Sequence, residues 1–250
     1  RSTPSKSSRK SSAFFGKPFA SDKSVKAVLL AAGLGTRLRP LTDQIPKCLV
    51  PINGRALLEY WLEDLLELEV EEILINTHHL ADQVEQFLIP YSQSGRIKSI
   101  YEKELKGTGG TIRANRDFFE QATPVLVVHA DNYCRSDLKL FLEAHQNRPD
   151  DTSITMLTFR SPSPERCGIV ELDEYGRVIR FHEKVSNPPS DHANGAVYLF
   201  EEEVINFICN PKNRVQDLSL DLFPRYLGRI YCWEANGTHV DIGTPENYAL

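Results

Sequence analysis

From residue 25 onward the chain repeats one unit: a short apolar run halted by glycine or a polar residue, then a stretch with apolar residues at helical spacing. Residues 25–31 (VKAVLLA) run into glycines. Residues 56–68 set Leu57, Leu58, Trp61, Leu65 and Leu68 at helical spacing and lead to a second strand, 71–76 (EEILIN). A helix at 81–88, a strand at 97–101 and a helix at 111–119 precede a third core strand, 124–129 (PVLVVH), which ends at Ala130-Asp131-Asn132. A helix at 138–145 and a strand at 153–158 (SITMLT) continue the series. Unbroken apolar strands are buried on both faces, so the alternation predicts an α/β fold with a doubly wound, mostly parallel sheet.

After Phe159 the pattern changes. Residues 168–172 and 178–182, separated by 173–177 (DEYGR), read as a hairpin. A strand at 196–200, a helix at 201–208 and a strand at 229–234 follow, and Gly237 leads into a last strand at 238–242. A smaller, more antiparallel extension of the same sheet is expected here. One domain then spans 25–250, with 25–158 and 159–250 as its two parts. Residues 1–24 differ in kind: six Lys or Arg, one Asp and many Ser read as a basic, flexible tail or linker.

Bulk properties remove several classes of partner. A net charge of −5 argues against nucleic acid, whose backbone recruits basic faces. No apolar run reaches the roughly 18 residues that a membrane span needs. The five cysteines stand far apart without a C-x-x-C pair, which offers neither a zinc site nor a disulfide framework. A reducing, cytoplasmic setting is the expectation. Oligomeric state stays open, a homo-oligomer included.

The first strand runs into Ala32-Gly33-Leu34-Gly35-Thr36-Arg37-Leu38, at the kind of strand end where open α/β sheets bind ligands. Two glycines let backbone amides approach phosphate closely. Alone, the turn admits a plain structural reading. Leu38 stands where a dinucleotide fingerprint needs its third glycine, and no Gly-Lys-Ser/Thr follows. Arg37, Arg39, Pro40, Pro46, Lys47 and Pro51 then add cations and rigid punctuation suited to a triphosphate.

Gly33-x-Gly35-Thr36-Arg37-Leu38-x-Pro40-x-Thr42-x₃-Pro46-Lys47-x-Leu49-x-Pro51 resembles the defining motif of the sugar-phosphate nucleotidyltransferases, and the resemblance extends over 25–250. It implies a Rossmann-like fold with a sugar-binding extension. It also implies a reaction in which a sugar 1-phosphate attacks the α-phosphorus of a nucleoside triphosphate. Ala32, Gly33, Gly35 and Thr36 would then hold phosphates, Arg37 would steady the departing pyrophosphate, and Lys47 the α-phosphoryl group.

Phosphoryl transfer asks for positioning and charge neutralisation, and Mg²⁺ held by one or two carboxylates is a common device. Asp131 and Asp241 sit at ends of expected core strands, Asp241 within Asp241-Ile242-Gly243-Thr244-Pro245. By resemblance they are the metal pair, with Asp131 also catalytic. The family usually has Gly-Asp where Ala130-Asp131 stands, and often an aromatic at His239. Three later segments resemble the family's sugar side, and imply Gly168, Glu183, Lys184 and Asn194 as sugar-phosphate contacts. The order Gly195-Ala196 reverses the more frequent Ala-Gly.

Glu102 through Gly110 (EKELKGTGG) resembles the loop that reads the base, with Gly107 and Thr108 beside it. A carboxylate there accepts from the imino N–H of guanine, uracil or thymine, and disfavours cytosine and adenine. Asn76 to Leu80 and the GTGG loop look most like guanylyltransferases acting on mannose or manno-heptose 1-phosphate. Ala31-Ala32-Gly33 pulls instead toward uridylyltransferases. A catalytically silent, nucleotide-sugar-binding homologue would lose an Arg, Lys or Asp that this chain keeps. A nicotinamide-dependent oxidoreductase would need the missing glycine.

Overall fold

The computed structural model describes residues 24–120 and 122–249, so apart from Ser24 the basic tail expected at 1–24 lies outside the described residues. The first part comprises β1 (Lys26–Leu30), β2 (Pro51–Ile52), β3 (Arg55–Ala56), α1 (Leu57–Glu67), β4 (Glu72–Thr77), α2 (Ala81–Ser92) and β5 (Ile97–Tyr101). It continues through α3 (Thr108–Ala114), β6 (Val125–His129), β7 (Asn132–Cys134), α4 (Leu138–Gln146) and β8 (Ile154–Arg160). The second part holds β9 (Gly168–Leu172), β10 (Val178–Glu183), β11 (His192–Phe200), α5 (Glu202–Cys209), β12 (Ile230–Glu234), β13 (His239–Asp241) and α6 (Pro245–Tyr248).

β1 is the pivot of the α/β sheet. It pairs in parallel with β4 on one side and β6 on the other, and β4 pairs in parallel with β5. The chain grows outward from β1 to β5 and then returns to add β6 on the opposite flank. Loops leaving the carboxyl ends of β1 and β6 therefore diverge, and topology alone opens a crevice there. Alternate residues of β1 feed opposite faces. Ala27 and Leu29 pack with Leu58, Trp61 and Leu65 of α1 and Phe141 of α4. Val28 and Leu30 pack with Ile112 of α3, Val204 of α5 and Phe223. Helices thus cover both faces, as the apolar strands require.

In the second part β11 runs antiparallel to both β6 and β8, and β9 and β10 form the expected hairpin. β12 departs from the antiparallel expectation and joins β8 in parallel. The hairpin meets β11 through Ala193 opposite Ile169. β11 begins at His192, four residues before the expected strand, because its first half pairs with β8 and β9 before a bulge between Asn194 and Tyr198.

Other boundaries moved for local reasons. α3 starts at Thr108, so Gly109 and Gly110 are helical although glycine disfavours that state. It stops at Ala114, and Arg116–Phe119 forms a separate 3₁₀ turn. α2 continues past Leu88 to Ser92, carrying Pro90 in its last turn. The β2–β3 hairpin closes on Asn53-Gly54, both at positive φ, a turn signal the periodicity reading passed over. No helix among the described residues is long and apolar enough to cross a membrane.

Away from the crevice, Glu201 closes the other end of the sheet. Its Oε1 lies 3.2 Å from His145 Nε2 and 2.5 Å from Arg148 Nη2, and Thr123 Oγ1 donates to Oε2 at 3.0 Å. The His145 imidazole beside it, with Arg148 and Thr123, outweighs burial and holds the Glu201 carboxyl at about 2 instead of 4.5. A depressed carboxyl stabilises the fold above its unfolded value and loses that contribution as pH falls through the folded one. Glu201→Gln is expected to cost about 2–3 kcal/mol at pH 7, after discounting for partial exposure. Urea denaturation at pH 7 and near pH 3 checks this: the gap between variant and parent should narrow at the lower pH, and a constant gap would assign the loss to packing.

Candidate active site

The segment after β1 is shaped by two different demands on its glycines. Gly35 has φ 63°, and a Cβ there would meet Thr42 Cγ2 at 2.8 Å. Thr42 Oγ1 donates to Gly35 O at 2.8 Å, so Gly35 is needed to fold the loop. Gly33 differs: a Cβ there would meet no heavy atom within 4 Å, and the residue lines a cavity of about 230 Å³. Its bareness leaves room over that cavity, which suits close approach of a ligand. Ala32 lines the same cavity, while Gly35 and Thr36 stand outside its wall.

The far wall is a buried polar network. Asn76, at the end of β4, accepts the Ala31 N–H at 2.7 Å and donates to Glu102 Oε1 at 3.1 Å. Thr111 Oγ1 donates to the same oxygen at 2.6 Å. Glu102 Oε2 accepts the Lys106 N–H at 3.1 Å. Three hydrogen bonds therefore tie the Glu102 carboxylate to the protein, and acceptor capacity is left on Oε2. Gly107 and Thr108 complete this wall. Thr108 Oγ1 accepts the Leu218 N–H at 2.9 Å, so its hydroxyl is also engaged.

At the crevice floor, Lys47 is brought in by a 3₁₀ turn (Lys47–Leu49) and is only 5% exposed. Its Nζ lies 2.7 Å from Asp131 Oδ2 and 3.5 Å from Asp241 Oδ1. Asp131 follows the end of β6. Asp241 arrives through the β7–β13 pairing, whose register sets it opposite Asn132. Arg37 Nη2 approaches Asp241 Oδ2 at 3.9 Å. A Cβ on Gly243 would collide with that guanidinium at 2.8 Å and with Asp241 Oδ1 at 2.7 Å. Burial alone would push the Asp131 carboxyl up; the Lys47 ammonium and its hydrogen bond, with His129, outweigh it and hold the group below its usual range.

Two hard carboxylates converging on one cationic point fit an oxygen-seeking divalent ion. Among the described residues no cluster of three or more His, Cys, Asp or Glu surrounds that point, so water and phosphate would have to complete an ion's shell.

A second cavity, about 380 Å³, opens beyond Asp131 and Asp241. Arg37, Gly168, Glu183, Lys184 and Asn194 all line it. Gly168 faces Glu183 across the hairpin, and a Cβ on it would strike Phe181 at 2.7 Å. Lys184 Nζ pairs with Glu183 Oε1 at 3.0 Å. The β11 bulge turns Asn194, Ala196 and Tyr198 toward this cavity together, with Asn194 Nδ2 donating to Tyr198 Oη at 2.8 Å. His239 lines it too, tilted on Phe159 with ring centroids 4.4 Å apart. Burial takes its pKa down to about 4. It packs there as a neutral ring.

Asp131 and His129 belong to both cavities, which makes them the shared wall. Sequence reasoning missed His129, Asp217 and Ser219, and used Asn76 only as part of a resembling run without giving it a place in the site. A polar residue closing the apolar run of β4 was a usable signal for Asn76; the stretch around Asp217 carried no periodic pattern at all.

The reversed Gly195-Ala196 order has a geometric cause. A Cβ on Gly195 would meet Leu157 Cδ2 at 2.5 Å, so glycine belongs there, and Ala196 is left at φ 56°. A left-handed alanine costs about 1–2 kcal/mol, partly offset in glycine by extra chain entropy. Ala196→Gly is therefore expected to raise stability by up to about 1 kcal/mol in urea denaturation; a loss would mean that the methyl contact outweighs the strain.

The family described as Nucleotidyl transferase matches residues 26–249. A UTP–glucose-1-phosphate uridylyltransferase of Synechocystis sp. is 32% identical over 242 residues, covering 90% of this chain and 61% of that protein. A mannose-1-phosphate guanylyltransferase of Mycobacterium tuberculosis is 32% identical over 229 residues, covering 90% and 62%. The chain thus spans about three-fifths of the length of these relatives. HddC from Yersinia pseudotuberculosis, solved in complex with GMP-PN, shares the fold at a TM-score of 0.74 and 27% identity, over 90% of this chain and 96% of that one.

Proposed function

The chain belongs to the nucleotidyl transferase family, and we propose that it joins a nucleoside monophosphate to a sugar 1-phosphate, with GTP and mannose or manno-heptose 1-phosphate as the pair. The observation that carries this reading is two cavities sharing one wall at Asp131, with Lys47 lining the first and Arg37 the second. A triphosphate in the first cavity and a sugar 1-phosphate in the second would bring their phosphates together at that wall.

An oxygen of the sugar 1-phosphate attacks the α-phosphorus, the bond to the α–β bridging oxygen breaks, and pyrophosphate leaves with the electron pair. Little covalent help is needed; positioning and charge neutralisation suffice. Lys47 takes the α-phosphoryl oxygens and Arg37 the leaving pyrophosphate. Ala32, Gly33, Gly35 and Thr36 give the phosphate turn its shape, with Gly33 leaving room for close approach. Glu183 and Asn194 orient sugar hydroxyls beside the Gly168 backbone, and Lys184 holds the 1-phosphate. Asp131 and Asp241 would hold Mg²⁺, which when bound draws charge from the reacting phosphate oxygens.

Glu102 Oε2 supports a base with an imino N–H donor, which guanine, uracil and thymine share. Guanine is favoured by the likeness to a guanylyltransferase and to a protein solved with GMP-PN. The uridylyltransferase relative keeps UTP with glucose 1-phosphate as the runner-up.

Pyrophosphate release with Mg²⁺, crossing GTP, UTP and dTTP with mannose, manno-heptose and glucose 1-phosphates, tests the reaction and names the pair. Silence across the panel, with triphosphate still bound, would point to a nucleotide-sugar-binding homologue without turnover. Asp241→Asn is expected to abolish most Mg²⁺-dependent turnover while the melting temperature holds; unchanged activity would sink the metal assignment. Lys47→Ala should cost about 2–4 kcal/mol of transition-state stabilisation in kcat/KM, and a loss below about tenfold would make Lys47 peripheral.

A further inference from the structure

The glycines of the loop at 107–110 answer to a neighbour outside the cavity they border. A Cβ on Gly107 would stand 2.6 Å from the Gln216 carbonyl oxygen, and one on Gly109 would stand 2.7 Å from Val215 Cγ1. One on Gly110 would be 3.3 Å from Gln216 Nε2. The loop is bare because the strap formed by residues 215–220 lies directly on it.

Hydrogen bonds fasten the two segments. The Gly109 N–H donates to Gln216 O at 2.9 Å, and the Leu218 N–H to Thr108 Oγ1 at 2.9 Å. Arg113 Nη1 donates to Val215 O at 2.6 Å, and the Gln216 side-chain amide donates to Lys106 O. Lys106 is also the residue whose N–H holds Glu102 Oε2. A continuous path therefore runs from the carboxylate assigned to the base, through Lys106, to Gln216.

The other end of the strap reaches the sugar cavity, where Asp217, Ser219 and Leu220 form part of the wall. The strap is stiff. Asp221 Oδ2 accepts the N–H groups of both Gln216 and Asp217 at 2.8 Å, and these bonds hold the Asp221 carboxyl below its ordinary value. Asp217 Oδ1 caps the following turn by accepting from Ser219 and Leu220 at 2.8 and 3.0 Å. With no loose residue between them, displacement of Gln216 is carried to Asp217 and Ser219.

We propose that Gln216 is a positioning residue that couples the two half-sites: nucleotide settling on the base loop sets Asp217 and Ser219 for the sugar 1-phosphate. The inference rests on the assignment of the two cavities above. Linkage makes the effect reciprocal, so each ligand raises the affinity for the other by one common factor.

The test is calorimetric titration with the non-cleavable α,β-methylene GTP and mannose 1-phosphate, repeated with α,β-methylene UTP and glucose 1-phosphate. In the parent chain, saturating analogue should tighten sugar-phosphate binding at least fivefold, within the usual range of coupling. Gln216→Met keeps the bulk and removes the donor to Lys106; the factor should fall below twofold while affinity for the analogue alone changes less than threefold. Thr108→Val, which removes the anchor of the Leu218 N–H, should lower the factor too, and melting curves show whether either variant is folded. Coupling in Gln216→Met equal to the parent's, or absent from a parent that binds both ligands, overturns the strap proposal and leaves the reaction reading standing. Failure of the parent to bind any sugar phosphate overturns the reaction reading itself.

Discussion

One ammonium group ties the site together. Lys47 comes from the loop after the first strand, Asp131 from the end of the third core strand, and Asp241 from near the end of the described chain. Two carboxylates facing one crevice repel each other unless a cation stands between them, and a nearly buried lysine has little water of its own to compensate. The lysine and the carboxylates therefore depend on one another, most closely Lys47 and Asp131 at 2.7 Å. The apolar cluster of Leu38, Val50, Leu57 and Ile242 holds the loops that present them, so an electrostatic arrangement rests on ordinary packing underneath.

Glycine, read from sequence, looks like a single signal, and in this molecule it has three separate causes. Gly35 turns the backbone, Gly33 keeps clear space over a cavity, and Gly107 and Gly109 make way for the strap at 215–220. Only the second leaves space open over a cavity. The motif therefore marks residues that the structure brings to one crevice while being a poor guide to what each glycine does.

The parallel half of the sheet was legible because apolar strands such as VKAVLLA and PVLVVH leave no other way to bury both faces. Arg37, Lys47, Asp131 and Asp241 were legible because they sit at the ends of such strands or in the loop leaving one, and the structure brings them to one crevice. Less visible were features made by tertiary contact: the parallel pairing of β12, the three-residue β7, and the strap. Nothing in VQDLSL announces a wall of the second cavity, since its hydrogen-bond partners lie about a hundred residues away at Lys106, Thr108 and Arg113. Glu102 lay between these cases. Its place beside the base loop was foreseeable, but the burial of its carboxylate among Asn76, Thr111 and Lys106 was not.

The β9–β10 hairpin meets β11 at one register pair and β12 at the Arg177–Tyr231 bridge, and its open end brings Gly168, Glu183 and Lys184 to the second cavity. β1, β4, β5 and β6, in contrast, are paired residue by residue along their length. Val170 and Val178 anchor the hairpin in the main core, so its latitude lies at its outward positions and not in its length or its buried face. Glu183 and Lys184, which line the second cavity and lie outside the core, are where a laboratory library aimed at a different occupant of that cavity can vary without unpacking the sheet.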